Sequence, residues 1–245
     1  MSSFDWSPDS KKIAFDHTEN PTANAWTSSD ISVVNVTSRS VKKLVTWGGS
    51  DRSPKYSPDG KSVAFVSDGG EHSWGREHFV FVIPSTGGKG RRLPATPSLN
   101  ISSIEGWTPS GSGVITAETE RTSRRYFNVP INENGITASF TPGRGNYGNL
   151  SYNSNGQMSF IHESTDSPAN VFTGNMDDFE PKQMTKVNSN FADMPHGKTE
   201  VIRWRSSDGL EIEGLLTYPI NYRKGKRCLL YTSDAADDTP CLDLG

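Results

Sequence analysis

The chain has 245 residues, of which 25 are Lys or Arg and 28 are Asp or Glu, giving a formal net charge of -3. Although only 32% of the residues are apolar, 6 Trp, 7 Tyr and 11 Phe are available for burial, so we expect a folded, turn-rich domain rather than disorder. Scattered basic residues argue against nucleic-acid binding, and no apolar run is long enough to cross a membrane. Residues 1–15 lack the pattern of a signal peptide, so localisation stays unknown.

An aromatic residue, a tight polar turn and a short apolar run recur four times along the chain. The copies are WSPDSKKIAF from Trp6, YSPDGKSVAF from Tyr56, WTPSGSGVIT from Trp107 and YNSNGQMSFI from Tyr152. Because Pro presets φ in a turn and Gly or Asn tolerates positive φ, each copy predicts a β-hairpin. The copies start 45 to 51 residues apart, which is typical of a four-stranded propeller blade. We expect the four aromatic residues to pack between blades rather than to stack on a ligand.

Two further strands are predicted after each hairpin. They cover residues 31–36 and 39–44, 79–83 and 91–93, 126–131 and 136–140, and, more weakly, 170–174 and 183–185. No window shows a convincing helical period, so the fold class is all-β. A β-sandwich also uses short strands, but the repeat favours a partial β-propeller of about four four-stranded blades over residues 1–196.

Residues 197–227 predict a different element. Residues 201–204 alternate as a strand, 207–209 form a turn, and 210–218 return as a second strand. A two-stranded ribbon is marginal in water by itself, so we expect it to join another sheet.

The last segment, residues 228–245, reads CLLYTSDAADDTPCLDLG and lacks both basic residues and the upstream alternation. Residues 228–238 resemble the translation of a transposase adapter used in sequencing libraries, so we interpret the segment as non-native. Without it the net charge is +1 and no cysteine remains, which excludes disulfides, thiol catalysis and Cys-type zinc sites. The alternative is a genuine, mobile C-terminal tail.

The aromatic-Ser-Pro-Asp-Gly hairpin resembles the blade signature of TolB-like and peptidase-associated propellers. The segment EVIRWRSSDGLEIEGLLTYPINYRKGKR, from Glu200 to Arg227, resembles the entry into the hydrolase domain of the prolyl oligopeptidase family of serine peptidases, in particular its dipeptidyl-aminopeptidase and acylaminoacyl-peptidase-like branch. The residues that match are Glu200, Ser206, Asp208, Gly209, Ile212, Gly214, Leu216, Pro219 and Tyr222. The two resemblances together span nearly all of residues 4–227, and they imply that 197–227 begin an α/β-hydrolase domain.

The catalytic groups of that family are not found in this sequence. An α/β-hydrolase nucleophile needs a G-x-S-x-G turn, which does not occur in the 245 residues, and the strand and His-Gly turn of the family pattern do not follow Arg227. We therefore predict no catalytic, cofactor-binding or metal-binding residue. The nearest match, Gly111-Ser112-Gly113, lies in a predicted blade turn.

Three other groups of polar residues have a structural and a functional interpretation. Glu71, His72, Glu77 and His78 could bind a metal or a substrate terminus, but a solvated loop is favoured. The aminopeptidase branch implies propeller acids that hold a substrate's amino terminus. Glu118 and Glu120 are acids near a strand end, yet the adjacent Arg121, Arg124 and Arg125 favour a charged hairpin. Asn153, Asn155 and Gly156 lack the acidic ligands of a calcium loop, so a turn is expected.

Two functions follow from these observations. In the first, the chain is the propeller part of a serine peptidase that in complete form hydrolyses short peptides, as an aminopeptidase, dipeptidyl-peptidase or oligopeptidase, by Ser-His-Asp acyl transfer. The propeller then gates substrate access, and peptides are bound through the missing hydrolase domain. In the second, the chain is a standalone TolB-like propeller that binds proteins or peptides without catalysis. Residues 200–222 favour the first, since a binding module has no use for them.

The blade count carries a further expectation. Propellers of this family usually have seven or eight blades, whereas four repeats are found, so we expect amino-terminal blades to be missing as well. An open propeller has unpaired strand edges, which promote aggregation. The chain by itself is predicted to be inactive and poorly soluble.

Overall fold

Two four-stranded antiparallel sheets form the first half of the structure, a computed structural model that describes residues 3–70 and 77–223. Blade 1 contains β1 (Phe4–Trp6), β2 (Lys12–His17), β3 (Asp30–Asn35) and β4 (Val41–Val45). Blade 2 contains β5 (Arg52–Tyr56), β6 (Ser62–Ser67), β7 (Phe79–Pro84) and β8 (Arg91–Arg92). In each blade the strands lie side by side in sequence order, as they do in a propeller.

Two more blades follow and share one eight-stranded sheet. Blade 3 contains β9 (Ile101–Trp107), β10 (Gly113–Glu120), β11 (Ser123–Pro130) and β12 (Ala138–Ser139). Blade 4 contains β13 (Asn146–Tyr152), β14 (Gln157–Ser164), β15 (Ser167–Asn175) and β16 (Lys182–Gln183). A parallel bridge between Arg124 and Asn146 joins the two blades. The prediction of an all-β partial propeller with about four four-stranded blades is thus confirmed.

The remaining elements are a ribbon and two short helices. β17 (Thr199–Arg205) and β18 (Glu211–Thr217) pair with each other as a separate two-stranded sheet, which we call the ribbon. The helices are 3-10 turns at Ala23–Ser28 and Ser189–Asp193. Within residues 3–70 and 77–223, no helix is long and apolar enough to cross a membrane. That the ribbon begins a hydrolase domain stays a prediction, and residues 228–245 lie outside the described part of the chain.

Local hydrogen bonds explain the repeated hairpin. In blade 2 the Ser57 hydroxyl donates to Asp59 Oδ1 at 2.6 Å and accepts from the Ser62 backbone N–H at 3.0 Å. The Gly60 N–H donates to the Ser57 carbonyl at 2.8 Å, and Gly60 takes a φ of 69°, which glycine adopts without strain. Ser7 makes the equivalent bonds in blade 1. The hydrogen bonds that specify these two turns therefore lie within six consecutive residues.

Three apolar clusters hold neighbouring blades together. Between blades 1 and 2 the buried residues are Ala14, Ile31, Val33, Val45, Tyr56, Val63, Phe65 and Ile83. Between blades 2 and 3 they are Ala64, Val66, Val80, Val82, Leu93, Ile101, Ile104, Trp107, Val114 and Val129. Between blades 3 and 4 they are Ile115, Ala117, Tyr126, Tyr147, Met158 and Phe160. The core is thus divided into layers between blades, as in other repeat architectures.

The second strand of blade 2 contributes to two of these layers. In β6, Val63 and Phe65 face blade 1, whereas Ala64 and Val66 face blade 3. Successive side chains of a strand point to opposite faces of the sheet, and both faces of this blade are covered. The strand is therefore continuously apolar instead of alternating.

The aromatic residues that open the four repeats behave as predicted at three positions. Tyr56 and Trp107 are each 6% exposed, and Trp107 Nε1 donates to the Lys55 carbonyl of blade 2 at 3.0 Å. Tyr152 Oη in turn donates to the Trp107 carbonyl at 2.8 Å. Trp6 is the exception, because it is 47% exposed on a face of blade 1 that no other blade covers in the described residues.

Candidate functional site

Each blade has two ends, and the ribbon lies at the end opposite the repeated hairpins. In blade 3 this end carries the tight turn 121–122 between β10 and β11, and in blade 4 it carries the turn 165–166 between β14 and β15. The connection 141–145 between these blades reaches the same end. We call this surface the ribbon end and consider it the candidate functional site.

The ribbon contacts blade 3 through charged and polar side chains. Arg121 Nη1 lies 2.8 Å from Glu211 Oε1 and 3.5 Å from Glu213 Oε2. The Thr122 hydroxyl donates to Glu213 Oε1 at 2.7 Å. Within the ribbon, Arg203 Nε donates to Glu213 Oε2 at 2.9 Å, so one carboxylate receives bonds from both sides of the contact.

Glu213 is the centre of this contact. Its side chain is only 9% exposed, although the arginines around it are largely solvated. The hydrogen bond from Thr122, with further help from Arg203 and against the opposing effect of burial, lowers the pKa of Glu213 to about 2. The carboxylate is therefore ionised at neutral pH.

A cavity of about 390 Å³ lies between the ribbon and the ends of blades 3 and 4. The ribbon contributes Thr199, Val201 and Leu215, and the blades contribute polar side chains, including those of Arg144, His162, Glu163 and Asp166. Neither Arg144 nor Glu163 forms an ion pair within the described residues. The cavity thus has one partly apolar wall and one charged wall, and its volume lies within the range of small-ligand sites.

Glu118, near the end of β10, is a completely buried acid of the ribbon end. It is 0% exposed, and its Oε1 accepts hydrogen bonds from the Ser98 N–H at 2.7 Å, from the Ser98 hydroxyl and from the Asn100 N–H at 3.3 Å. Its Oε2 has no hydrogen-bond partner in the part of the chain that the structure describes. The carboxylate thereby fixes the connection between blades 2 and 3.

The prediction of a charged hairpin around Glu118 is confirmed for Glu120, which pairs with an arginine, and is wrong for Glu118, which does not. Glu120 Oε2 lies 3.4 Å from Arg125 Nη1, as expected. Glu118 instead binds backbone and hydroxyl donors, because it points into the blade connection rather than along the hairpin. Arg124 lies 3.8 Å from Glu105, and Arg121 reaches across to the ribbon.

The same end of blade 2 carries an arginine that the sequence alone did not single out. Arg52, the first residue of β5, donates to the carbonyls of Ser102 at 2.8 Å and Ile101 at 2.9 Å, and so joins the innermost strands of blades 2 and 3. Burial lowers the pKa of Arg52, while the carboxylates of Asp16 and Asp68 oppose this. No local pattern marks Arg52, because it opens the polar strand RSPKY and its partners lie about fifty residues further along the chain.

Asp51 precedes Arg52 and is completely buried. Its backbone exchanges hydrogen bonds with Ser29 of blade 1, and its Oδ2 accepts from the Trp47 N–H at 3.4 Å. Burial is the main cause that raises the pKa of Asp51 to about 6, and the nearby Asp68 and Asp30 add to it. Asp51 therefore lies within the connection from blade 1 to blade 2 as an acid that titrates close to neutral pH.

Potential metal ligands stay apart in the described residues, and a Ser–His contact of blade 1 is buried. Within residues 3–70 and 77–223, no three His, Cys, Asp or Glu side chains gather in a metal-binding arrangement. Glu71 and His72 lie outside the described residues. The Ser32 hydroxyl lies 2.8 Å from His17 Nε2, but Ser32 is 1% exposed within β3 and cannot meet a substrate.

The two remaining candidate motifs are turns, as expected. Ser112 lies in the turn between β9 and β10, where the Gly113 N–H donates to the Thr108 hydroxyl at 3.0 Å. In blade 4 the Asn153 side chain accepts from the N–H of Asn155 at 2.9 Å, and the Gly156 N–H donates to the Asn153 carbonyl at 3.1 Å.

Comparison with known proteins finds a protein that is similar to this chain in sequence. No protein-family model matches the chain. The chain is 26% identical over 246 residues to dipeptidyl-peptidase 5 of Porphyromonas gingivalis, an alignment that covers 96% of the chain and 35% of the relative. The chain thus spans about a third of the length of that relative.

Solved structures share the fold at lower identity. Acylaminoacyl peptidase of Pyrococcus horikoshii matches with a TM-score of 0.65 and 13% identity, over 92% of this chain and 33% of that one. TolB of Acinetobacter baumannii matches with a TM-score of 0.60 and 18% identity, over 88% and 51% of the two chains. A puromycin-hydrolyzing peptidase of Mycobacterium tuberculosis matches with a TM-score of 0.61 and 16% identity, over 86% and 33%. The sequence relative supports the resemblance to the prolyl oligopeptidase family of serine peptidases that the motifs predicted, and the solved structures show that the chain has the blade fold.

Proposed function

We propose that the chain is the propeller part of a serine peptidase that acts on short peptides, with the ribbon end facing the catalytic domain. The observation that carries the proposal is the position of the ribbon. Its two strands match the family's lead-in to the hydrolase domain, and they lie across the ends of blades 3 and 4 rather than along their sides.

The role of the blades in this proposal is to shape access to the catalytic groups. The serine hydroxyl, the histidine and the acid belong to the hydrolase domain, where the serine attacks the scissile carbonyl and the histidine passes the proton to the leaving amine. The blades exclude bulk water and large substrates, while the charged wall of the cavity offers hydrogen bonds to a peptide. Of the described residues, Arg144 and Glu163 are the best placed for this, because both line the cavity without an ion-pair partner.

The substrate class follows from the relatives. The relative by sequence is named a dipeptidyl-peptidase, and two structural neighbours are named an acylaminoacyl peptidase and a puromycin-hydrolyzing peptidase. We therefore infer that the complete enzyme releases short units from the amino end of peptides. Dipeptidyl substrates are the first to test.

The experiment begins with the DNA from which the chain is read. Resequencing across the codon for Arg227 is expected to extend the reading frame into a G-x-S-x-G turn. The extended polypeptide should hydrolyse dipeptidyl p-nitroanilides, and a serine-directed inhibitor should abolish that hydrolysis. Residues 1–227 expressed alone are the matched control and should be inactive.

The opposite result would support the binding-module alternative. If the codons for 228–245 are present and followed by a stop, and no peptide is cleaved, the enzyme proposal fails. The likeness to TolB, which covers 88% of this chain, then becomes the better guide.

A further inference from the structure

The contact between the ribbon and the blades is built differently from the contacts between blades. Each pair of neighbouring blades is joined by a buried apolar layer. The ribbon adds no residue to any of these layers, and its Leu215, next to the cavity, is 51% exposed. The specific bonds that connect it to blade 3 are those of Arg121 and Thr122 with Glu211 and Glu213.

The turn that presents Arg121 has an unusual backbone. Arg121 and Thr122 form the two-residue loop between β10 and β11, and Arg121 takes a φ of 55°, in the left-handed region. A side chain other than glycine is strained in that region, so such a conformation persists only where other contacts hold it. Here the turn presents the Arg121 guanidinium to the ribbon, where its Nη1 lies 2.8 Å from Glu211 Oε1.

From these observations we propose that Arg121 and Thr122 of blade 3, with Glu211 and Glu213 of the ribbon, form a salt-sensitive electrostatic latch that holds the ribbon on blade 3 and closes the cavity at the ribbon end. Opening the latch moves the ribbon wall, formed by Thr199, Val201 and Leu215, away from the blades. The latch is formed by residues of this chain and does not depend on a hydrolase domain. A role of the latch in substrate entry rests on the proposed function.

A rise in ionic strength should open the latch. Arg121 and Glu211 have side chains that are 48% and 46% exposed, so salt reaches this pair directly. The Debye length falls from about 10 Å at 0.1 M salt to about 3 Å at 1 M, and exposed ion pairs weaken accordingly. In the part of the chain that the structure describes, no apolar layer joins the ribbon to the blades once the pairs are screened.

The test measures the position of the ribbon relative to blade 3. Spin labels are attached at Glu133 and Ser207, which are exposed and lie outside the latch, in the full chain with Cys228 and Cys241 replaced by serine. Double electron–electron resonance should give a narrow distribution of distances between the two labels at low salt. The width of this distribution should increase roughly twofold near 1 M NaCl. The variant Arg121→Gly should give the broad distribution at all salt concentrations.

Arg121→Gly is chosen because glycine relieves the backbone strain, so a changed distance cannot come from a weakened turn. Thr122→Val removes the hydroxyl bond to Glu213 without changing the charge and should broaden the distribution in part. Arg125→Ala is the matched control, since Arg125 pairs with Glu120 inside blade 3 and does not touch the ribbon.

The proposal is overturned if Arg121→Gly and high salt leave the distribution narrow, or if Arg125→Ala broadens it equally. No peptide is hydrolysed in this measurement. A failed latch therefore leaves the proposed peptidase function standing, and an absent peptidase activity leaves the latch standing.

Discussion

Burial of a single carboxylate, that of Asp51, has a consequence for stability. The pKa is raised from an ordinary value of 3.8 to about 6 because the completely buried side chain loses its hydration. Ionisation of the Asp51 side chain is therefore less favourable in the folded state than in the unfolded state. Asp51 therefore destabilises the folded state little below pH 4. The destabilisation grows as the pH rises from about 4 to about 6.

Replacing Asp51 by asparagine should remove this pH dependence. Asparagine keeps an oxygen that accepts from the Trp47 N–H but carries no charge. The free energy of unfolding of Asp51→Asn, relative to the parent, should rise by about 2 kcal/mol between pH 4 and pH 7, as measured by urea denaturation. Asp178→Asn, at an exposed position of blade 4, serves as the control and should show no such rise. If the difference in free energy of unfolding between Asp51→Asn and the parent does not change with pH, the raised pKa of Asp51 is contradicted.

Side-chain partners were the least predictable feature at this scale. The sequence places Glu118 beside three arginines, which suggested ion pairs, and one pair did form at Glu120 and Arg125. Glu118 instead binds Ser98, and Arg121 binds Glu211, ninety residues further along the chain. Proximity in sequence cannot rank such partners, because each depends on which element is packed nearby.

At the scale of elements, the hairpins were predicted best. Each turn is specified by adjacent residues such as Ser57, Asp59 and Gly60, whose hydrogen bonds are all local. The strands that end a blade were predicted less well, since β12 and β16 have only two residues each. Those outer strands carry little apolar surface, so the hydrophobic pattern hardly marks them.

One hydrogen bond between the innermost strands of blades 2 and 3, from Trp107 to Lys55, provides a test at this scale. Trp107→Phe keeps an aromatic ring in the layer but removes the bond from Nε1 to the Lys55 carbonyl. We expect a loss of about 2 kcal/mol from the free energy of unfolding, from the lost bond and the smaller ring. Trp6→Phe changes the same residue type at the equivalent, exposed position and should cost less than about 0.5 kcal/mol. Equal losses in the two variants would show that the inter-blade bond contributes nothing.

At the scale of the whole molecule, stability is shared only between neighbouring blades. Blades 2 and 3 each contribute to two apolar layers, whereas blades 1 and 4 each contribute to one within the described residues. Architectures of this kind unfold from the units with fewest neighbours.

Hydrogen exchange should display this gradient along the chain. The amides of β6 and β10, the second strands of blades 2 and 3, should exchange roughly tenfold or more slowly than those of the equivalent strands β2 and β14. Mass spectrometry of peptic peptides under native conditions would measure it. Uniform exchange in all four strands would mean that the blades unfold as a single cooperative unit.

The sequence by itself determined the fold class, the number of blades in the described chain and the family relation. These depend on turns of four residues, on strand alternation and on a repeat of about 50 residues, all of which are encoded locally. Only the tertiary structure decided which charged groups meet. Asp51 is buried because blades 1 and 2 close over it, and Arg121 reaches Glu213 because the ribbon folds back across the blade ends. Such contacts join residues far apart in the chain, so the packing of the elements determines them.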